Sequence, residues 1–259
     1  MRIAICQLNV KQNNAIYNLK NVLRVIDCVA NDGATLAILP EMFNVGFFPR
    51  KMSEEMLLEQ EILSSLKRAA TDLNINIIAG SIAVKRQSSF YNRMYIISSD
   101  GGIIAEYDKS HLFSGMGEQE IFTRGESRCS FSLDNVNISA GICYDLRFPS
   151  FIRKSILENS AELFVLSAQW PKVRINEFEL LVRARAAENR CYIAAVNGCG
   201  QFDDTIYGGH SLLVDPNGSV LASLNEDEGY IIKDINTESV KILRENSFNV
   251  LNDINEFTD

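Results

Sequence analysis

Val136-Asn137-Ile138-Ser139-Ala140-Gly141-Ile142-Cys143-Tyr144-Asp145-Leu146-Arg147-Phe148-Pro149 changes character halfway along. Its first half is a short β-branched run that reads as a strand. Its end, Pro149, precedes Phe151, Ile152, Ile156 and Leu157, whose spacing predicts a helix. Proline suits the first helical turn, where its missing N–H has no intrahelical partner to lose. Cys143 therefore falls where a strand stops and a helix is about to begin. A thiol at such a turn can project into a cleft. The N–H groups that follow, and the dipole of the coming helix, favour a thiolate and a developing oxyanion. Free cysteine is also a common small buried hydrophobe, so this turn alone leaves both readings open.

Two other strand ends carry reactive side chains. Thr35 to Leu39 reads as a strand buried on both faces, and it runs straight into Pro40-Glu41. Ile103 to Tyr107 reads as a strand that leads to Asp108-Lys109. Ends of adjacent strands converge, and sites in sheet folds are built there. A thiol needs a base, which Glu41 supplies. Acyl transfer creates an oxyanion, which Lys109 and the backbone N–H of Tyr144 can hold. Taken singly, Glu41 also reads as a turn residue and Lys109 as a solvated charge. Their shared position is what joins them.

The rest of the chain supports a sheet fold with helices outside. Arg2 to Leu8 alternates as a strand. Asn13 or Asn14 caps a helix with Ile16, Leu19, Leu23, Ile26 and Ala30 on one face, stopped at Gly33. A second helix is expected over Ser53 to Leu73. Ile75–Val84 and Tyr91–Ser98 read as two strands, and Asp108 to Gly125 as loop. Ser130–Leu133 pairs with Val136–Ile142. Strand Glu162–Ala168 stops at Gln169-Trp170-Pro171, before an amphipathic helix, Asn176 to Arg190, with Phe178, Leu181, Val182, Ala184 and Ala186 apolar. Tyr192–Val196 reads as a strand, Gly208–Leu213 leads into a hairpin turn at Asp215-Pro216-Asn217-Gly218, and Val220–Leu224 and Tyr230–Ile235 follow as strands. Val240, Leu243 and Arg244 suggest a short helix. The polar tail 246–259 frays or docks on the body or on a partner subunit. No linker or repeat divides the chain, so the pattern implies a single α/β domain of packed sheets with helices outside.

Composition narrows the function. With 259 residues, 46% hydrophobic and 22% charged, the chain is an ordinary globular one. A formal charge of −8 without a Lys/Arg cluster argues against a nucleic-acid partner. No run is apolar and long enough to span a bilayer, and the opening residues alternate like a strand rather than form a signal peptide. Six cysteines without CxxC spacing, and only His111 and His210 as imidazoles, argue against a metal site and for a reducing cytoplasm. His111, His210 and Glu188 read as structural. Trp170, the only tryptophan, stands after a strand end and can wall a pocket. Arg147 and Arg174 are candidates to grip a carboxylate bidentately, although Arg147 is expected instead to pair with Asp145 or Glu188.

Leu39-Pro40-Glu41, Tyr107-Asp108-Lys109-Ser110-His111-Leu112 and Gly141-Ile142-Cys143-Tyr144-Asp145-Leu146-Arg147-Phe148-Pro149 together resemble the carbon–nitrogen hydrolase (nitrilase) superfamily. The likeness extends over nearly the whole chain, including Gly208-Gly209-His210-Ser211. It implies a four-layer αββα sandwich over residues 1–245 that dimerises to eight layers. It also implies a Glu41–Lys109–Cys143 triad that hydrolyses non-peptide amides or nitriles through a thioester, with no cofactor. A second glutamate, seven residues before a glycine, matches Glu118 and Gly125, with Glu120 as a rival. Gln169-Trp170-Pro171, Arg174, the segment from Leu180 to Asn189 and the tail resemble the omega-amidase branch, which acts on 2-oxoglutaramate or 2-oxosuccinamate. That makes Trp170 and Arg174 substrate-binding candidates and a small amide the expected partner. Glu177-Phe178 and Ala186-Ala187-Glu188-Asn189-Arg190 depart from that branch. Amidases of deaminated glutathione, nitrilases proper and a non-catalytic binding member are the alternatives.

Overall fold

The structure, a computed structural model, describes residues 1–47 and 57–246. The first sheet starts with β1 (Arg2–Gln7), continues through α1 (Ala15–Asn31) to β2 (Leu36–Ile38), and through α2 (Glu59–Leu73) to β3 (Asn76–Ile78). These three strands are parallel and adjacent. β4 (Ile82–Arg86), β5 (Ser89–Ile97) and β6 (Ile103–Asp108) extend the sheet antiparallel, and β5 pairs with all of its neighbours β3, β4 and β6. The second sheet holds β7 (Cys129–Leu133), β8 (Val136–Ile142), β9 (Leu163–Ala168), β10 (Tyr192–Asn197), β13 (Leu212–Val214) and β14 (Val220–Ser223), in the order β14-β13-β10-β9-β8-β7. Its helices are α3 (Pro149–Glu158) and α4 (Ile175–Asn189). A separate hairpin, β11 (Cys199–Phe202) with β12 (Thr205–Gly208), projects beyond β10. β15 (Gly229–Asp234) returns to the free edge of β1, and α5 (Glu238–Asn246) follows.

The period-two pattern of β1 builds the layers. Ile3 and Ile5 join Ile138, Ile142 and Val165 in the apolar seam between the sheets. Ala4 and Cys6 face the other way, onto Val22 and Ile26 of α1 and Ile62 and Leu66 of α2. Ile152, Ile156, Phe178 and Val182 cover the far side of the second sheet. The result is the expected α/β sandwich, in the order helices, sheet, sheet, helices. Each fully buried Leu, Ile or Phe stabilises it by about 1.5–3 kcal/mol relative to an exposed one.

Polar bonds join the two sheets at one end. The Ser167 hydroxyl at the end of β9 donates to the Leu39 carbonyl after β2 at 2.8 Å. The buried Gln7 side chain accepts from the Ser211 N–H and hydroxyl at 2.9 and 2.8 Å, and donates to the carbonyls of Asn225 and Asp227.

Several expectations shift. Asn14 caps α1 by accepting from the Tyr17 N–H, but the inward face is Ala15, Leu19, Val22, Ile26 and Val29, while Ile16 faces solvent. Cys28 is only half-buried. The expected strand Ile75–Val84 is two strands broken at Gly80-Ser81, because the chain after β2 crosses there. An added Cβ on Gly80 would lie 2.0 Å from the Pro40 carbonyl oxygen, and its φ of +51° suits glycine. α4 is not cleanly amphipathic: Arg185 and Asn189 are buried and Leu180 is exposed. Arg185 is turned inward because its Nε donates to the Leu146 carbonyl and its guanidinium pairs with Glu188. The hairpin β11–β12 was not expected. Residues 53–56 of the expected second helix and the tail 247–259 lie outside the described residues. No helix among the described residues is long and apolar enough to cross a membrane.

Candidate active site

Four chain segments meet at the end of the sandwich where the sheets are hydrogen-bonded together. Glu41 leaves β2 in a tight loop held by β4's approach: the Met42 N–H donates to the Ser81 hydroxyl at 3.0 Å and the Phe43 N–H to the Ser81 carbonyl at 3.0 Å. Lys109 follows β6, and its N–H donates to the Asn92 carbonyl of β5 at 2.9 Å. Glu118 begins a short 3₁₀ turn after Gly117, whose φ of +75° needs no Cβ. Its carboxylate also accepts from the Phe113 N–H at 2.6 Å. Glu41, Lys109 and Glu118 are all buried to 1% exposure or less.

The three charges form one cluster. Lys109 Nζ lies 2.9 Å from Glu41 Oε1 and 2.9 Å from both Glu118 oxygens. The Asn92 amide donates to Glu41 Oε1 at 2.8 Å and to Glu118 Oε1 at 3.3 Å. The Gln169 N–H, just after β9, donates to the other Glu41 oxygen at 2.9 Å. The Phe47 ring lies 5.2 Å from the ammonium, within cation–π range.

Cys143 opens a 3₁₀ turn, Cys143 to Arg147, between β8 and α3. Its φ is +45°, an uncommon conformation for a side chain with a Cβ. Asp145, fully buried, holds that turn. It accepts from the Ile142 N–H at 2.8 Å, the Tyr107 hydroxyl at 2.7 Å and the His111 N–H at 3.1 Å, and it pairs with the His111 ring at 2.7 Å. His111 in turn stacks on Phe148 at 3.7 Å. The Glu41 carboxylate and the Lys109 ammonium are both close enough to act on the Cys143 thiol electrostatically.

Burial pushes the Glu41 carboxyl above its ordinary range; Lys109 pulls it back and Glu118 pushes it further. Burial also works against the Lys109 charge, but Glu41 and Glu118 together hold the ammonium above the usual lysine range. For Cys143, burial and then the Glu41 charge lift the thiol well above its ordinary value, against Lys109 and the Gln169 N–H. Burial and the Glu41 charge thus work against the thiolate that the turn alone favours, and Lys109 and the Gln169 N–H work for it. The α3 dipole begins only at Pro149, too far along the chain to offset desolvation. A neutral thiol beside a carboxylate, with a cation opposite, can deliver sulfur to a carbonyl carbon while the proton moves to the carboxylate.

The sulfur sits at the floor of a cavity of about 410 Å³, counting its open mouth. Tyr144, Trp170, Arg174 and Tyr207 are among its walls. Tyr144, Arg147, Trp170 and Arg174 therefore line one cavity with Cys143, and Glu41, Lys109 and Glu118 form the buried cluster beside it. The rival Glu120 is exposed. Trp170 is held by its indole N–H, which donates to the Arg174 carbonyl at 2.9 Å. Arg147 departs from expectation: it pairs with Glu177 and lies 4.9 Å over the Trp170 ring, while Asp145 goes to His111 and Glu188 to Arg185 and Arg153. Arg174 lies over the Phe113 ring at 5.1 Å. His210 pairs with Glu179. Among the described residues no group of three or more His, Cys, Asp or Glu is placed to hold a metal ion.

Sequence reading missed Asn92, Gln169 and Tyr207 as members of the site. Asn92 carried a signal, an amide amid a strand of large side chains. Tyr207 carried one too: Asp203-Asp204 is flanked by alternating residues that form the β11–β12 hairpin.

The Carbon-nitrogen hydrolase family model matches residues 2–245, and the chain belongs to that family. It is an amidohydrolase acting on carbon–nitrogen bonds other than peptide bonds. Among its relatives, the 2-oxoglutaramate amidase of Bacillus subtilis (strain 168) is 39% identical, the match covering 85% of each chain. Omega-amidase YafV of Yersinia enterocolitica is 31% identical over 85% of this chain and 84% of its own. Among solved structures, a CN-hydrolase superfamily protein of Xanthomonas campestris superposes with a TM-score of 0.92 at 27% identity, covering 99% of this chain and 98% of that one.

Proposed function

We propose that this chain is an omega-amidase, hydrolysing the terminal amide of 2-oxoglutaramate or 2-oxosuccinamate. The observation that carries the reading is the buried cluster of Glu41, Lys109 and Glu118 beneath the Cys143 sulfur. Similarity to a 2-oxoglutaramate amidase and to an omega-amidase supports the substrate. Glu41 takes the thiol proton as sulfur attacks the amide carbon. Lys109 and the Tyr144 N–H stabilise the oxyanion. Glu41 returns the proton to the departing nitrogen, and ammonia leaves. Water, deprotonated by Glu41, then cleaves the thioester and restores the thiol. Glu118 keeps Lys109 charged and in place. Arg174 holds the substrate carboxylate and Trp170 walls its chain. Arg147 is the weaker cation, because Glu177 neutralises it.

The reading carries further proposals. Residues 1–245 form the catalytic domain, and the tail 246–259 packs on the body or on a partner subunit. The protein is a cytoplasmic homodimer; six unpaired cysteines fit a reducing compartment. Amide hydrolysis of deaminated glutathione is a second reading, favoured by a mouse amidase for that substrate that is 29% identical over 94% of this chain.

The test is ammonia release from 2-oxoglutaramate, 2-oxosuccinamate and deaminated glutathione by the wild type and by Cys143→Ala. The variant should stay folded and lose about 10⁴-fold or more in kcat. Undiminished turnover rejects the role of Cys143. Preference for deaminated glutathione selects the second reading.

A further inference from the structure

The Asn92 side chain touches both carboxylates of the cluster and its backbone carbonyl holds the backbone of Lys109, although nothing about the triad chemistry demands an amide. We propose that Asn92 is a positioning residue: its side-chain amide keeps the Glu41 carboxylate charged and turned toward the Cys143 thiol, while its backbone seats Lys109. This rests on the amidase reading of the site.

The geometry is asymmetric. Asn92 lies in β5, paired with Ala83 of β4, and is 1% exposed. Its carbonyl accepts from the Lys109 N–H at 2.9 Å. Its Nδ2 donates to Glu41 Oε1 at 2.8 Å and to Glu118 Oε1 at 3.3 Å. Its Oδ1 is buried with no hydrogen-bond partner among the described residues. A buried acceptor without a donor is unfavourable for stability. A leucine of similar shape would remove that defect. The side chain is therefore placed for its two donors and not for packing.

The charge count explains why donors are needed there. Two carboxylates face one ammonium, so the cluster carries one excess negative charge among side chains that are almost fully buried. The groups that face Glu41 are Lys109 after β6, Glu118 from the 3₁₀ turn, Cys143 from the turn after β8 and Tyr207 from β12. Only Lys109 among them is cationic. Removing the Asn92 donors leaves a carboxylate to be stabilised by protonation instead, and burial already favours that for Glu41. A protonated Glu41 cannot accept the thiol proton, so the base is lost while the fold is kept.

Two size-matched variants bear on this. Asn92→Leu removes the donors. Asn92→Asp keeps a donor only while the new carboxyl holds a proton. Two readouts are taken across pH: kcat/KM for ammonia release from 2-oxoglutaramate, and the rate of Cys143 carbamidomethylation by iodoacetamide, located by mass spectrometry. The alkylation arm needs no substrate, so it stands even where the amidase reading fails.

For Asn92→Leu the acid limb of both profiles should move up by about one pH unit. Its kcat should drop roughly ten- to hundredfold with KM little changed, and its denaturation midpoint should be equal to or above the wild type's. For Asn92→Asp the change should appear on the alkaline side, where activity falls once the new carboxyl ionises. Profiles that stay at the wild-type position in the variant or variants that fold overturn the proposal, as does a loss of activity that tracks a loss of stability with no shift in either limb. If Asn92→Leu does not fold, the alkaline limb of Asn92→Asp decides alone. Failure of both to fold assigns Asn92 to the structure and also overturns it.

Discussion

The two sheets reach the cavity floor with opposite chemistry. The first sheet sends charge: Glu41 after β2 and Lys109 after β6, with the Asn92 amide of β5 between them and Glu118 closing the group. The second sheet sends almost none. It contributes the Cys143 thiol on a turn of positive φ and the Gln169 N–H, and its Asp145 faces away onto His111 and Tyr107. Its wall cations, Arg147 and Arg174, lie higher, over aromatic rings. The reactive atom and the field that drives it are thus mounted on separate layers. On the proposed reading, chemistry belongs to the charged floor, and choice of substrate to the wall that carries Trp170 and Arg174.

That division can be broken at the floor first. Lys109→Met removes the only cation between two buried carboxylates. It should lower kcat/KM by about 10⁴-fold and destabilise the fold by about 3–5 kcal/mol, since a buried charge loses its partner. Ammonia release and denaturant unfolding read both. A stable, active variant would show that the cluster is not one unit. Glu41→Gln should cost about 10²–10⁴-fold in kcat with a much smaller change in stability, because Lys109 keeps Glu118. It should also erase the acid limb. In the wild type, activity should be lost as pH falls through the folded pKa of Glu41, since only the ionised form accepts a proton. Burial raises that pKa, so the limb should lie above the ordinary glutamate range. A wild-type limb that persists in the variant would place the base elsewhere.

The wall should give the smallest effect and the cleanest split. Arg174→Ala should raise KM for amides that also bear a carboxylate about ten- to a hundredfold, with kcat nearly unchanged. Amides lacking that group should not notice the change. Arg147→Ala should matter less, because Glu177 already occupies its guanidinium. The reverse ranking would move the carboxylate grip to Arg147.

Legibility followed the same division. Strand ends carrying Glu41, Lys109 and Cys143 could be read because each motif is local, and Pro149 does open α3. The layers could be read from the alternation in β1. What escaped depends on contacts between distant segments. The break at Gly80 exists because Pro40 crosses it, and nothing within Ile75–Val84 announces that. Asn92 shows in the sequence only as an amide in a strand of large side chains; its role lies in facing carboxylates 51 and 26 residues away. The face of α1 was drawn slightly to one side: Leu19 and Ile26 are fully inward, Leu23 and Ala30 pack at its margin, and Ile16 lies in solvent. Arg185 was hidden because periodicity treats arginine as outward, whereas a carbonyl of the Cys143 turn draws it inside.

The bonds from Ser167 to Leu39 and from Ser211 to Gln7 bear on more than local order. Apolar contact has no preferred direction and tolerates small slippage, whereas a hydrogen bond weakens steeply when bent. The sandwich is therefore greased along its seam and latched at one end. Sulfur and carboxylate ride on different layers, yet the latch keeps their spacing indifferent to breathing elsewhere, much as a hinge pin keeps two plates in alignment however the plates flex.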